Sequence, residues 1–184
     1  PILNLFLPIL LSFVLLLPCK SSFAALDYSK QSLIGEDFSG QDLRGVTFNL
    51  TNLKNANLAD SDLEGASLFG AKLQQASLKN TNLKGATLDS AVLEGTDLRN
   101  AVMEDAFAFN TRFENVLITG ADFTNVQIRA NELKELCDVA GGVNPITGRD
   151  GWWSIMVGPD KPVDTMYLIN TPSQREGIHS RMPS

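Results

Sequence analysis

Residues 51–90 read TNLKN-ANLAD-SDLEG-ASLFG-AKLQQ-ASLKN-TNLKG-ATLDS, eight consecutive units of five residues with leucine at the third position of each. A period of five matches neither the 3.6-residue repeat of an α-helix nor the two-residue alternation of a β-strand. A short fixed period indicates a solenoid, in which each unit buries its apolar side only by stacking on its neighbours. The eight units therefore predict a solenoid fold.

The same phase extends beyond these units in both directions. From residue 33 to residue 133 a large apolar side chain occupies 20 of 21 central positions, and the exception is Ala108. Small residues, chiefly alanine, stand two before each centre, and glycine or asparagine commonly stands two after it. Apolar groups two residues apart point to one side of an extended segment and fill an interior. Glycine and asparagine tolerate the backbone angles of a corner, so the pattern predicts an all-β solenoid with a corner in every unit.

Several units carry a motif that has been described before. Ala56-Asn57-Leu58, Ala66-Ser67-Leu68 and Ala121-Asp122-Phe123 match the A-(D/N)-L-x-x consensus of the pentapeptide-repeat family, which the chain resembles from residue 31 to about 135. The resemblance implies that four units form one square coil. We therefore expect a right-handed quadrilateral β-helix of about five coils with a short C-terminal capping helix.

Four segments are expected along the chain: an export signal at 1–25, the β-helix at 26–135, the capping helix and a turn at 136–150, and an irregular or disordered tail at 151–184. Residues 128–138 read as the short helix, with Asn131 as its N-cap. Trp152-Trp153 is expected to pack back on the end of the rod; the alternative is an anchor for a partner.

Residues 1–25 predict a cleaved signal. Ile2 to Leu17 is almost entirely apolar, and Ser22-Phe23-Ala24-Ala25 supplies small residues for cleavage after Ala24 or Ala25. The apolar stretch is short for a membrane span and Pro8 would kink it, so a retained anchor is the weaker interpretation. We expect no stable membrane anchor after cleavage. The sequence does not specify which export pathway the protein uses.

In a square coil, residues twenty apart share a face. One face is then expected to carry an alternating charge ladder, and another to carry Phe69, Asp89 and Phe109, with Phe107 beside them. The ladder consists of Arg44, Glu64, Lys84 and Glu104. The inverted order Phe107-Ala108-Phe109 has two interpretations. Phe69, Phe107 and Phe109 form an aromatic patch for a partner, or one of the two neighbouring Phe turns inward to fill the space beside Ala108.

Cysteine usage defines one further candidate. Cys19 lies in the signal, which leaves Cys137 as a candidate redox thiol. The stretch from Glu135 to Gly148 resembles the tail of thylakoid-lumen pentapeptide-repeat proteins of plants and algae. In those relatives this cysteine can form a disulfide with a second one. This chain departs from their pattern after about Asp150, and no second cysteine follows.

The composition excludes several activities. The chain has 15 Lys and Arg against 21 Asp and Glu, a net charge of −6, which disfavours binding to nucleic-acid phosphates. It carries no phosphate-binding loop, metal-ligand spacing or nucleophile elbow, and its single histidine is His179. Asp and Asn recur one residue before the centres, but the repeat explains them without a paired-carboxylate catalyst. We therefore expect no enzymatic activity, no cofactor and no metal.

Two functions remain as hypotheses. The first is a non-catalytic scaffold of the chloroplast thylakoid lumen that binds a protein partner, with the periplasm or another exported compartment as the alternative location. The second is a DNA mimic that inhibits a type II topoisomerase, an activity that the family resemblance implies for some members. Sign-alternating charge and an export signal favour the first hypothesis. The sequence specifies neither the partner nor the oligomeric state.

Overall fold

The computed structural model describes residues 26–156. The predicted signal at 1–25 and residues 157–184 of the predicted tail lie outside the described residues.

Residues 26–129 wind into a square coil with twenty residues per turn. Parallel β-bridges join residues twenty apart without interruption from Asp27–Thr47 to Phe107–Gln127, which spans five turns. The bonding is regular in each unit: the Leu78 amide donates to the Asp97 carbonyl below at 2.7 Å, and the Ser77 amide donates to the Ala56 carbonyl above at 3.0 Å. The right-handed quadrilateral β-helix of about five coils is thereby confirmed.

The interior of the coil is built from two positions of each unit. The central side chains from Leu53 to Leu98 are completely buried, and the alanines two residues before the centres are buried beside them. Where threonine replaces alanine, its hydroxyl bonds to a carbonyl of the preceding coil, as Thr81 Oγ1 does to Leu58 O at 2.8 Å. These bonds satisfy the hydroxyls that would otherwise be buried without partners.

The corners lie where the sequence places glycine and asparagine. Gly85 and Asn80 have φ values of 63° and 57°, a left-handed conformation that these residues adopt readily. Each corner turns the chain onto the next side, so the four sides carry independent rows of outward side chains.

Helix α1, Ala130–Val139, covers the last coil. Its Leu136 is buried against the core, and Glu132 Oε2 accepts from the Phe113 amide at 3.3 Å. The prediction that Asn131 is the N-cap was wrong, because the residue before the helix is Arg129, whose backbone is extended. Arg129 Nε donates to the Phe109 carbonyl at 2.9 Å, which attaches Arg129 to the preceding coil. The helix therefore begins at Ala130, within the segment 26–135 that was expected to be β-helix.

Helix α2, Gly151–Met156, corrects the prediction of an irregular tail for these six residues. Ser154 and Ile155 are buried, and Ser154 Oγ accepts from the Phe123 amide at 3.0 Å. Trp152 packs against the core, as expected for the Trp152-Trp153 pair, and the side chain of Trp153 lies outside the described part of the structure. The helix forms because the last coil offers amides and apolar surface that have no further coil to meet.

Candidate interaction surface

The aromatic face is the part of one side of the rod that residues 46–50, 66–70, 86–90 and 106–110 form on four successive coils. It exposes four large apolar side chains. Their exposed fractions are 52% for Leu50, 43% for Phe69, 47% for Phe107 and 55% for Phe109. The structure therefore brings together the three aromatic residues singled out from the sequence and adds Leu50.

The aromatic face is also poor in charge. Across the four coils its only charged residue is Asp89. The other three sides carry more charged residues over the same coils. The side that begins at 51–55 carries five, namely Lys54, Lys72, Glu94, Arg112 and Glu114. The side that begins at 56–60 carries four (Asp60, Lys79, Asp97 and Arg99), and the side that begins at 61–65 carries six (Asp62, Glu64, Lys84, Glu104, Asp105 and Asp122). Aromatic enrichment with charge depletion is the composition of a protein–protein interface core.

The Phe107-Ala108-Phe109 segment keeps the ordinary register of the coil. Ala108 is completely buried at the central position, and both phenylalanines point outward. The interpretation in which one Phe turns inward was therefore wrong. Arg129 makes a cation–π contact with Phe109, with its guanidinium carbon 5.8 Å from the centroid of the Phe109 ring.

Leu50 was missed from the sequence. It occupies a corner with φ of 58°, where the other non-glycine corner residues are Asn, Asp, Gln, Ser and Lys. Its side chain lies over Gly70, where an added Cβ would come within 2.7 Å of Leu50 Cδ2. A leucine among the Gly and Asn corners was the available signal. Leucine adopts this conformation less readily than glycine or asparagine does, and here it also exposes an apolar side chain.

We expect Leu50→Asn to raise the free energy of unfolding by about 0.5–1 kcal/mol, because asparagine tolerates the left-handed conformation better than leucine does. Denaturant unfolding of the two proteins measures the difference. Asn55→Leu, at the neighbouring corner with φ of 57°, is the reverse substitution and should lower the stability by a similar amount. A loss of stability in Leu50→Asn would show that the contact with Gly70 outweighs the strain.

The predicted charge ladder forms only in part. Lys84 Nζ pairs with Glu104 Oε2 at 3.2 Å, as expected. Arg44 does not complete the upper step with Glu64, because it binds Asp42 at 2.6 Å and Asp62 at 3.5 Å instead. The hydrogen bond from Arg44 lowers the pKa of Asp42 to about 2. These pairs are exposed, and exposed pairs contribute little to stability.

Comparisons with known proteins agree with this geometry. The family profile described as Pentapeptide repeats (8 copies) matches residues 33–68 and 66–105. The crystal structure of a pentapeptide repeat protein from the Arabidopsis thaliana thylakoid lumen aligns with 38% sequence identity and a TM-score of 0.67, over 77% of this chain and 90% of that one. The chain belongs to the pentapeptide-repeat family. None of the curated proteins gives a significant match.

Two further solved pentapeptide-repeat structures are more distant. HetL from the cyanobacterium Nostoc sp. strain PCC 7120, involved in heterocyst differentiation regulation, aligns at 21% identity over 55% of this chain and 59% of its own, with a TM-score of 0.40. QnrB1, a plasmid-mediated fluoroquinolone resistance protein, aligns at 19% identity over 57% of this chain and 77% of its own, with a TM-score of 0.26.

The C-terminal end of the pentapeptide-repeat rod is held by an ionic cluster that the sequence did not reveal. Arg149 Nη1 lies 3.1 Å from Asp122 Oδ2, and Arg149 Nη2 lies 3.3 Å from Glu104 Oε1. The Asp122 side chain is fully buried. Burial raises the pKa of Asp122, but hydrogen bonds from the Thr124 and Thr147 hydroxyls, the Thr124 amide and Arg149 outweigh it and leave the pKa below its usual value.

A pKa below the usual value links this cluster to pH. The stabilisation that Asp122 contributes is fully present above its unfolded pKa, near 3.9, and is lost as the pH falls through the lower folded pKa. We therefore expect Asp122→Asn to be less stable than the native protein at pH 7, with the difference in stability narrowing as the pH falls below the unfolded pKa of aspartate. Urea unfolding at several pH values measures this difference. A difference that stays constant as the pH is lowered through this range would contradict the assignment.

Cys137 lies on α1, is half-buried and packs against the core. Its redox role stays a prediction. Across residues 26–156, no group of three or more His, Cys, Asp or Glu side chains is arranged to hold a metal ion. In the same part of the chain, no helix has the length and apolar character needed to cross a bilayer.

Proposed function

We propose that this pentapeptide-repeat protein is a non-catalytic scaffold of the chloroplast thylakoid lumen that binds a protein partner through its aromatic face. The observation that carries the proposal is the concentration of Leu50, Phe69, Phe107 and Phe109 on one side of the rod, over four coils in which Asp89 is the only charged residue of that side. Apolar side chains held on a rigid surface lose little conformational entropy on binding.

The location is supported by two observations. The Arabidopsis structure with 38% identity is of a thylakoid-lumen protein. Residues 1–25 have the apolar run and small cleavage-site residues of an export signal. Fractionation of chloroplasts, with intact-mass measurement of the lumenal form, is expected to find a mature chain beginning near Ala25 or Leu26. Recovery only from the stroma, the cytosol or a membrane would contradict the location and leave the aromatic face to be tested separately.

The charged sides do not favour a DNA mimic. A mimic needs a sustained run of unpaired negative charge, whereas Lys84 pairs with Glu104 and Arg99 binds Asp97 at 2.6 Å. Arg44 likewise binds two aspartates on its side of the rod. We therefore rank topoisomerase inhibition below the scaffold function, and a gyrase supercoiling assay tests that order.

The scaffold function predicts that Phe107→Ser with Phe109→Ser weakens partner capture from lumenal extract by about tenfold or more, since buried aromatic anchors dominate interface energies. Leu117→Ser is the matched control, because Leu117 is 51% exposed on a different side of the same coil. Quantitative mass spectrometry of cross-linked partners measures the effect. Equal capture by the double variant, or a loss caused by Leu117→Ser alone, would place the binding surface elsewhere.

A further inference from the structure

The dimensions of the aromatic face limit what can lie on it. Adjacent coils are about 4.8 Å apart, so Leu50 and Phe109, three coils apart, are separated by about 14 Å along the rod. A side of about three extended residues is about 10 Å wide. That footprint is well below the ~800 Å² per partner of a standard protein–protein interface, which disfavours a globular partner or a second rod lying flat on this face. One α-helix, about 10–12 Å across with its side chains, fits the width.

The spacing of the coils matches one stripe of a helix. Helix positions i, i+3, i+7 and i+10 share a face and lie at about 0, 4.5, 10.5 and 15 Å along the axis. The coils that carry Leu50, Phe69, Asp89 and the Phe107–Phe109 pair lie at about 0, 4.8, 9.6 and 14.4 Å. A helix parallel to the rod axis therefore places one side chain of its stripe on each coil.

Asp89 sets the chemistry of the third position. Its Oδ1 accepts from the backbone amide and the side-chain amide of Asn110, both at 2.9 Å, which fixes the carboxylate at the surface between Phe69 and Phe109. Its Oδ2 has a 3.5 Å contact with the Ser90 hydroxyl. An apolar side chain placed here would desolvate the carboxylate without compensation, whereas a cation would pair with it.

We propose, resting on the function proposed above, that the aromatic face takes one amphipathic helix of a partner protein. The helix lies along the rod and presents apolar side chains at i, i+3 and i+10 and an arginine or lysine at i+7. In the reverse orientation the cation stands at i+3 and the apolar side chains stand at i, i+7 and i+10. The cation meets Asp89, and the apolar side chains meet Leu50, Phe69 and the Phe107–Phe109 pair.

Synthetic helical peptides test this inference with the full-length protein. Two 18-residue peptides carry leucine at the three apolar positions and arginine at i+7 or at i+3, and each has a twin with glutamate in place of arginine. Fluorescence anisotropy is expected to show that one arginine peptide binds about fivefold or more tighter than its twin, the discrimination expected for a surface charge pair. Asp89→Asn should bring the ratio close to one, and Phe69→Ser with Phe109→Ser should weaken binding by about tenfold.

Two controls separate this inference from the proposed function. Glu94→Gln removes a carboxylate from the adjacent side, and Leu117→Ser removes an exposed apolar group from a third side; both should bind the arginine peptide as the native protein does. Equal affinity for the arginine and glutamate peptides, or no saturable binding of either arginine peptide, would overturn the helix assignment. If lumenal partner capture still depends on Phe107 and Phe109 in that case, the scaffold function stands without it. Sedimentation that shows a dimer broken by Phe109→Ser would also overturn the helix assignment.

Discussion

Leu78→Ala is expected to lower the free energy of unfolding by about 2–5 kcal/mol, the range for removing a fully buried leucine side chain. Leu78 stands between Leu58 and Leu98 on the coils above and below, and all three are completely buried. Backbone bonds hold its coil to both neighbours, through Leu78 N to Asp97 O at 2.7 Å and Leu58 N to Ser77 O at 2.8 Å. The coils cannot collapse into the space without breaking these bonds, so the loss should lie in the upper half of the range.

Denaturant unfolding of the purified protein measures this loss. Leu78→Met keeps most of the volume and should cost less than about 1.5 kcal/mol. Lys79→Ala, at the exposed neighbouring position, should change stability by no more than about 0.5 kcal/mol. A loss below about 1 kcal/mol in Leu78→Ala would mean that the coil repacks around the cavity and that the interior is less rigid than its bonding pattern implies.

The rod could be predicted from the sequence because nearly every five-residue unit has the same pattern of residue types. The units share a large apolar residue at the centre, a small residue two positions before it and a corner residue two positions after it. Each unit therefore supports the same predicted structure independently of the others. The register also explains why an inward Phe beside Ala108 was wrong. Side chains alternate between inside and outside along an extended segment, and turning Phe107 or Phe109 inward would shift the whole unit by one residue.

The C-terminal end could not be predicted in the same way. Arg149 reaches back to Glu104, and Ser154 meets the Phe123 amide, through contacts that no periodic pattern encodes. Helix α2 spans only Gly151–Met156, too short for a helical pattern to emerge from the sequence. It is stable because the last coil leaves amides and apolar side chains for it to cover.

The aromatic face is separable from the fold. Phe69, Phe107 and Phe109 expose about half of their surface and contribute no side chain to the interior, so serine at these positions should leave the rod intact. The coil determines only where they stand. The repeat therefore predicts the coil that holds these residues. Their proposed role follows from the amino-acid composition of one side over four coils, which can be compared with the other sides only after each residue has been assigned to a side.

Asn144→Asp is expected to lower the free energy of unfolding by about 2–4 kcal/mol, because it leaves buried polar groups without partners. Asn144 is completely buried in the turn between the two helices. Its Nδ2 donates to the carbonyls of Asn100, Ala101 and Gly120 at 3.2, 3.2 and 2.8 Å. Its Oδ1 accepts from the amides of Ile146 and Thr147 at 2.9 and 3.0 Å, so one side chain joins this turn to two coils of the rod.

Aspartate has the same shape as asparagine but presents an oxygen where three carbonyl oxygens converge, so the substitution removes the hydrogen bonds without opening a cavity. Urea unfolding gives the loss, and limited proteolysis should show faster cleavage between residues 140 and 156, since the turn and α2 lose their attachment. Asn131→Asp is the matched control, because it is exposed in the first turn of α1, where a carboxylate is tolerated. If the free energy of unfolding falls equally little in both variants, the end of the rod is held by α2 and the Arg149 cluster rather than by Asn144.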